Sequence, residues 1–221
     1  VTAGLILTVD RRSGKAQRWQ RYWDRKSKNY DREMGFFDRK LFKDSRQWVC
    51  QQATGDVLEV AIGTGLNLTH YPDNVQLTGV DYSPAMLELA RHRSAELGRQ
   101  ADLREGDAQA LDFPDASFDT VVCTYGLCAI PDDKAAITEM RRVLRPGGLL
   151  LLADHVAGAS SPVRIVQRVL ELVTVPQASE HFLRRPYNTV LAAGFEIERR
   201  ERFTVGIVER LAARKPVPPT G

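Results

Sequence analysis

The chain has 221 residues, 43% of them apolar and 27% charged, with a net charge of +3. That length fills one core and is short for two full domains, and so small a net charge implies no polyelectrolyte partner. Three cysteines (Cys50, Cys123 and Cys128), with no Cys-x-x-Cys pair, argue against a disulfide framework and a zinc site; no metal is expected, and a reducing cytoplasm fits best.

In chain order, the apolar run at residues 4–9 is too short to span a bilayer and lacks the basic start and cleavage site of a secretory signal. From residue 15 to 52 the pattern is helical. Trp19, Tyr22, Trp23, Lys26 and Tyr30 recur at spacings of three and four, Gly35 marks a break, and a second helix covers 36–51. Between Arg11 and Arg46, thirteen Lys/Arg stand against five Asp/Glu, so the rest of the chain nets −5. Two readings stand for this segment: a solvated charged helix packed by its aromatics on the core, or a surface that meets anionic lipid.

Beyond Gly55, short apolar runs at 56–61, 75–80, 118–124 and 149–153, with a weaker one at 101–105, alternate with helical stretches at 64–71, 84–97 and 133–144. Fully apolar strands alternating with helices predict a parallel sheet covered on both faces. Asp132 and Asp133 cap the helix at 133–144, and Pro146-Gly147-Gly148 stops it. Further on, helices are expected at 162–173 and 180–193. Strands at 195–203 and 205–213 should then add an antiparallel hairpin at one sheet edge. The expected layout is a helical cap over 1–52, a single α/β domain over 53–214 and a frayed, proline-bearing tail over 215–221.

The turn after the first strand reads Ala61-Ile62-Gly63-Thr64-Gly65. Such a turn lies at the carboxyl edge of the sheet, where open α/β folds bind ligands, and Gly63 and Gly65 permit close backbone approach. Leu68 stands where a dinucleotide loop needs its last glycine, and no Gly-Lys-Ser/Thr follows, so neither the NAD fingerprint nor a P-loop is present. Sixteen residues after Gly65 the next strand ends in Asp81, a carboxylate placed to accept from ribose hydroxyls. Asp107 closes the third strand, within reach of an adenine amine. Glu59, Gly63, Gly65, Asp81 and Asp107 thus fall at three successive strand ends.

These motifs, with 79–86, 105–108, 113–119 and Leu144-Arg145-Pro146-Gly147-Gly148, resemble those of the class I S-adenosylmethionine-dependent methyltransferases, in the ubiquinone/menaquinone-biosynthesis branch. The resemblance covers roughly residues 53–155. It implies a Rossmann-like, doubly wound, mostly parallel seven-stranded sheet with S-adenosylmethionine as cofactor. Carried over, the family's roles put Glu59 behind the loop and the methionine end, with Ala61, Gly63, Thr64 and Gly65 along the floor. Asp81 holds the ribose, Tyr82 and Met86 flank the adenine, Asp107 and Ala108 address its edge, and Thr124 lies near the methionine amino group. Tyr30-Asp31 resembles the aromatic-acid pair whose tyrosine closes over the cofactor. Ala61 departs from the pattern, which usually has glycine there.

His155, just past the fifth strand, faces the acceptor or serves as a hydrogen-bonded structural histidine. Tyr125 and Cys128 follow the fourth strand, beside the acceptor or, for Cys128, as a small buried apolar residue. The run 121–128 with Asp154-His155-Val156 resembles the mammalian thiol S-methyltransferases. The basic aromatic helix resembles that of bacterial phosphatidylethanolamine N-methyltransferases. Both point to a small-molecule or lipid acceptor, and the second to peripheral contact with anionic membrane through residues 11–46. Thr124-Tyr125-Gly126 does not match the Asn/Asp-Pro-Pro-Tyr/Phe of DNA amino-methyltransferases, so no nucleic-acid partner is expected. The alternative to an enzyme is a catalytically silent cofactor-binding module at a membrane surface or on a partner protein.

Overall fold

The computed structural model describes residues 14–218. In chain order these form α1 (Gly14–Phe37), a π-helical turn (Asp38–Phe42), α2 (Ser45–Cys50), β1 (Asp56–Val60), β2 (Gln76–Asp81), α3 (Pro84–Glu96), β3 (Ala101–Glu105) and β4 (Phe118–Thr124). Then come α4 (Asp133–Val143), β5 (Leu144–His155), α5 (Ser161–Ala178), α6 (Pro186–Ala192), β6 (Glu196–Phe203) and β7 (Val208–Arg214). The run at residues 4–9 lies outside the described residues.

The seven strands make one sheet in the order β3-β2-β1-β4-β5-β7-β6. The first five are parallel, and β7 runs antiparallel between β5 and β6. Strand order reverses between β1 and β4, which creates a crevice at their carboxyl ends. The central strands are apolar on both faces. Leu58, Val121, Cys123, Leu150 and Leu152 pack under Ile137 and Met140 of α4. Val57, Val122, Leu151 and Ala153 point the other way, into a cluster with Val49 and Cys50 of α2 and with Phe42. Side chains alternate with period two along each strand, so a fully apolar run is what a two-sided core requires.

Several expected boundaries move. Gly35 does not break α1, which continues to Phe37; the chain turns afterwards through the π-helical segment and Lys43, at φ +55°. The helix expected at 64–71 is a series of turns closed by bonds from Gly65 to Ile62, Leu68 to Gly65 and His70 to Asn67. The side chains of Asn67 and Tyr71 bind Glu59 instead, a competing set of bonds that holds the segment in turns. Strand β5 begins at Leu144 rather than 149, because Gly147 and Gly148 pair with the backbone of Lys215. Lys215 is therefore fastened to the sheet rather than frayed, while 219–221 lie outside the described residues. Of the helix expected at 180–193, only Pro186–Ala192 forms. The chain before it is irregular, with Arg184 donating to the carbonyls of Leu127, Ile130 and Pro131.

Candidate cofactor and active site

The ends of β1, β2 and β4, the turn after β3 and the inner face of α1 enclose a cavity of about 310 Å³. Ala61 and Gly63 form one wall, Asp81, Tyr82 and Met86 a second, and Asp107 and Ala108 a third. Tyr125, Gly126, Ala129 and Ile130 close the β4 side, and Trp19, Trp23 and Tyr30 of α1 cover the top. Eight of the residues expected from the sequence thus meet here: Tyr30, Ala61, Gly63, Asp81, Tyr82, Met86, Asp107 and Ala108.

Asp81 is the best-anchored acid on the wall. Its oxygens accept the amides of Gly63 (2.8 Å) and Ser83 (2.9 Å), which fixes the carboxylate at the strand end. Burial pushes its pKa up to about 6, against these stabilising bonds. Asp107 is held by the amide and side-chain nitrogen of Gln109, both at 2.9 Å. Ser83 caps α3 by accepting from the Met86 amide, setting that side chain against the cavity.

Two non-glycine residues in the wall adopt left-handed backbone, Ala61 at φ +56° and Tyr125 at φ +54°. Such geometry costs an ordinary residue about 1–2 kcal/mol, and strain of this kind concentrates at functional sites. Space for the Ala61 methyl comes from Gly126, where an added Cβ would stand 2.7 Å from it.

Helix α1 is pinned over the cavity. Gln20 donates to the Tyr82 carbonyl (3.0 Å), and Asp24 accepts from the Ser83 hydroxyl (2.6 Å). Asp31 accepts from the Thr64 hydroxyl and pairs with Arg93, which also donates to the Thr64 carbonyl. Thr64 therefore serves as a latch for the lid rather than as cavity lining. Burial pushes the Tyr30 phenol well above its ordinary range, so it stays protonated.

Behind the loop lies a polar knot. Glu59, 1% exposed, accepts from Asn67 Nδ2 (2.7 Å) and the Tyr71 hydroxyl (2.9 Å), and burial pushes its pKa up to about 7. Asn67 also reaches Thr124 (2.9 Å), and Arg46 donates to Asn67 Oδ1 (3.1 Å) and Thr124 Oγ1 (3.2 Å). Asp38 holds Arg46 from the far side at 3.0 Å, and the guanidinium lies over the Tyr125 ring, itself stacked on Phe42. One guanidinium nitrogen, Nη2, is buried without a hydrogen-bond partner among the described residues. Glu59, Gly65 and Thr124 support the cavity from this knot and its loop without lining it.

His155 does not line the cavity. Its ring stacks on Phe182 (4.7 Å), with Nε2 3.8 Å from Glu180 and Nδ1 3.9 Å from Asp154, buried without a hydrogen-bond partner among the described residues. Burial works against the charged imidazole, but the nearby carboxylates of Glu180 and Asp154 outweigh it and raise the pKa. Donor atoms of Cys128, Asp154 and His155 fall within 4.8 Å of one another. The Asp154 oxygens already accept the amides of Cys128 and His155, and burial pushes the Cys128 thiol well up. Cys128 is 3% exposed, a small buried residue.

Sequence reasoning missed Arg46, Asp24, Arg93 and Asn67. Their partners lie from 8 to 78 residues away, at no helical or strand spacing that would signal them. Arg46 was counted within a basic surface segment, yet it is 8% exposed.

Residues 58–152 match a family model described as a methyltransferase domain. Among curated relatives, a phosphatidylethanolamine N-methyltransferase of Cereibacter sphaeroides is 42% identical over 118 residues, covering 52% of this chain and 58% of its own. A demethylmenaquinone methyltransferase of Deinococcus radiodurans is 41% identical, covering 47% and 44%. A thiol S-methyltransferase of Homo sapiens is 31% identical, covering 60% and 55%. The chain thus spans about half the length of the curated relatives it matches. In fold it is similar to a SAM-dependent methyltransferase of Methanosarcina mazei (TM-score 0.62, 21% identity, 76% and 95% covered). On the cavity wall stands an anchored acid, Asp81, while the buried guanidinium of Arg46 lies behind the loop with Asn67 and Thr124. Residues 58–152 are thus similar to a methyltransferase domain, and they lie on a Rossmann-like, mostly parallel seven-stranded sheet.

Proposed function

We propose that the protein transfers a methyl group from S-adenosylmethionine to a small-molecule or lipid acceptor bearing a nitrogen, sulfur or oxygen nucleophile. The observation that carries this reading is the cavity in which Ala61, Gly63, Asp81, Met86 and Asp107 converge under α1. Bound there, the cofactor supplies a methyl already activated by its sulfonium. What remains for the chain is orientation and exclusion of water. Asp81 would hold the ribose and Asp107 and Ala108 the adenine edge, while Glu59, Thr124 and Arg46 would support from behind the loop that meets the methionine end. Tyr30 closes over the cofactor as a protonated phenol. His155, with basicity raised by Glu180, would accept a proton on the acceptor side. Relatives named for a phospholipid, a quinone precursor and a thiol support an apolar acceptor.

Methyl-labelled cofactor incubated with cell extract, with products resolved into lipid and small-molecule fractions, tests this. A labelled product absent with Asp81→Ala supports the reading; cofactor binding without any labelled product leaves the silent module in its place. In the same assay His155→Asn should lower turnover at least tenfold with S-adenosylhomocysteine affinity unchanged. Equal turnover would make His155 structural.

A further inference from the structure

Helix α5 turns its apolar side outward. Ile165, Val166, Val169, Leu170, Leu172 and Val173 are each between 48% and 74% exposed. Its inward side is polar instead. Gln167 accepts the Gly158 amide (2.8 Å) and donates to the Val156 carbonyl (2.9 Å), Glu171 accepts the Leu183 amide (2.7 Å), and the Thr174 hydroxyl donates to the Glu180 carbonyl (2.8 Å). A surface helix ordinarily buries its apolar stripe. Here side-chain hydrogen bonds hold the helix down and leave the stripe uncovered, a patch of the kind that marks an interaction site.

The stripe has an order of its own. Counting outward from Val169, exposed apolar side chains stand three, four and seven places away in both directions: Val166 and Leu172, Ile165 and Val173, Pro162 and Pro176. At about 100° per residue, all of these lie within about 60° of Val169. The stripe therefore reads alike from either end, apolar against apolar, over two heptads. Arg168, the one charged residue among the exposed positions of the helix, falls about 100° from Val169, at the rim.

We infer that α5 pairs with α5 of a second copy of the chain, antiparallel, about a two-fold axis that passes beside Val169. An isologous interface needs a patch that complements itself, each residue meeting a second that meets the first in return. Under that rotation Val166 meets Leu172, Ile165 meets Val173 and Val169 meets its own counterpart, in the three-and-four spacing by which paired helices interlock. The six most open side chains leave roughly 600 Å² per copy in water, so a pair covering them withdraws about 1,200 Å², where stable interfaces begin. A bilayer or an unrelated partner accepts an apolar face in any arrangement and gives no reason for one that is symmetric about its middle. The pairing goes beyond the proposed methyl transfer and stands whether or not transfer occurs.

The test uses the full chain in sedimentation velocity from about 1 to 100 μM, the range in which interfaces of modest area associate. The protein should pass from monomer to dimer, and more readily at high salt, since two copies of net charge +3 repel at long range. Val169→Asp sets two carboxylates against each other on the axis, and Leu172→Lys adds charge beside it; each should weaken the dimer on the order of tenfold or more. Both positions are exposed, so the melting temperature and S-adenosylhomocysteine affinity should hold. Cross-linking reads the register, because all three native cysteines are buried. Val169→Cys should join to its counterpart through a bismaleimide spanning about 8 Å, whereas two copies of Val173→Cys stand about 12 Å apart along the helix axes and should not. A monomer at every concentration, a dimer indifferent to Val169→Asp, or cross-linking at 173 equal to that at 169 would each overturn the inference. So would a monomer that floats with phosphatidylcholine vesicles and loses this with Val169→Asp, which gives the face to a bilayer.

Discussion

Asp81 carries two opposed demands. Its burial favours the neutral acid, with a pKa near 6, while a ribose diol calls for an acceptor. Affinity for S-adenosylhomocysteine should therefore rise as pH climbs through about 6, with proton release on binding. Titration calorimetry between pH 5 and 8, in about unit steps, reads both. Asp81→Asn should bind tenfold to a hundredfold more weakly, from the loss of about 1.5–3 kcal/mol of charged hydrogen bonding, and should lose the pH dependence. A slope that persists in the variant would place the titrating group elsewhere. Asp81 was readable in the sequence because its role follows from its place at a strand end. Arg46 was not, since a count of charges does not distinguish a solvated cation from one enclosed by Asp38, Asn67 and Thr124.

Strands β1, β2, β4 and β5 were legible because each is a local apolar run, β3 less so because it reads Ala-Asp-Leu-Arg-Glu, and the hairpin because β6 and β7 adjoin. Failures came where side chains far apart outbid local propensity. Residues 64–71 look helical until Asn67 and Tyr71 are drawn to Glu59. Gly35 looks like a break until Asp31 is seen bound to Thr64 and Arg93 ahead of it and Phe37 stacked on Phe42 beyond it. Among elements, α1 bears the most consequential contacts, and Asp31 joins it to both Thr64 and Arg93. Asp31→Ala should loosen this helix while leaving the sheet intact. Hydrogen exchange should rise across α1 and stay unchanged in β1–β5, and S-adenosylhomocysteine should dissociate several-fold faster. Equal exchange would mean that Asp24 and Gln20 suffice to hold the lid.

On the scale of the molecule, two acids with raised pKa values, Glu59 and Asp81, tie folding to proton uptake. Glu59 titrates near 7 and Asp81 near 6 in the folded protein, against 4.5 and 3.8 as ordinary values. In that window the native state holds more protons than the unfolded chain, so stability contributed by the neutral acids is present at low pH. It is lost as pH rises through the folded values. The ligand-free protein should accordingly be more stable near pH 5 than near pH 7.5, by on the order of 2–3 kcal/mol, in urea denaturation. Glu59→Gln should flatten much of that slope; an unchanged slope would refute the assignment.

Because α1 is a single rigid element with one side on the cavity and the other on solvent, it cannot respond to either side alone. Anything that grips its outer cations also changes how readily the chamber beneath can open. Thermodynamic reciprocity then requires the converse: an occupied chamber must alter the grip by the same factor.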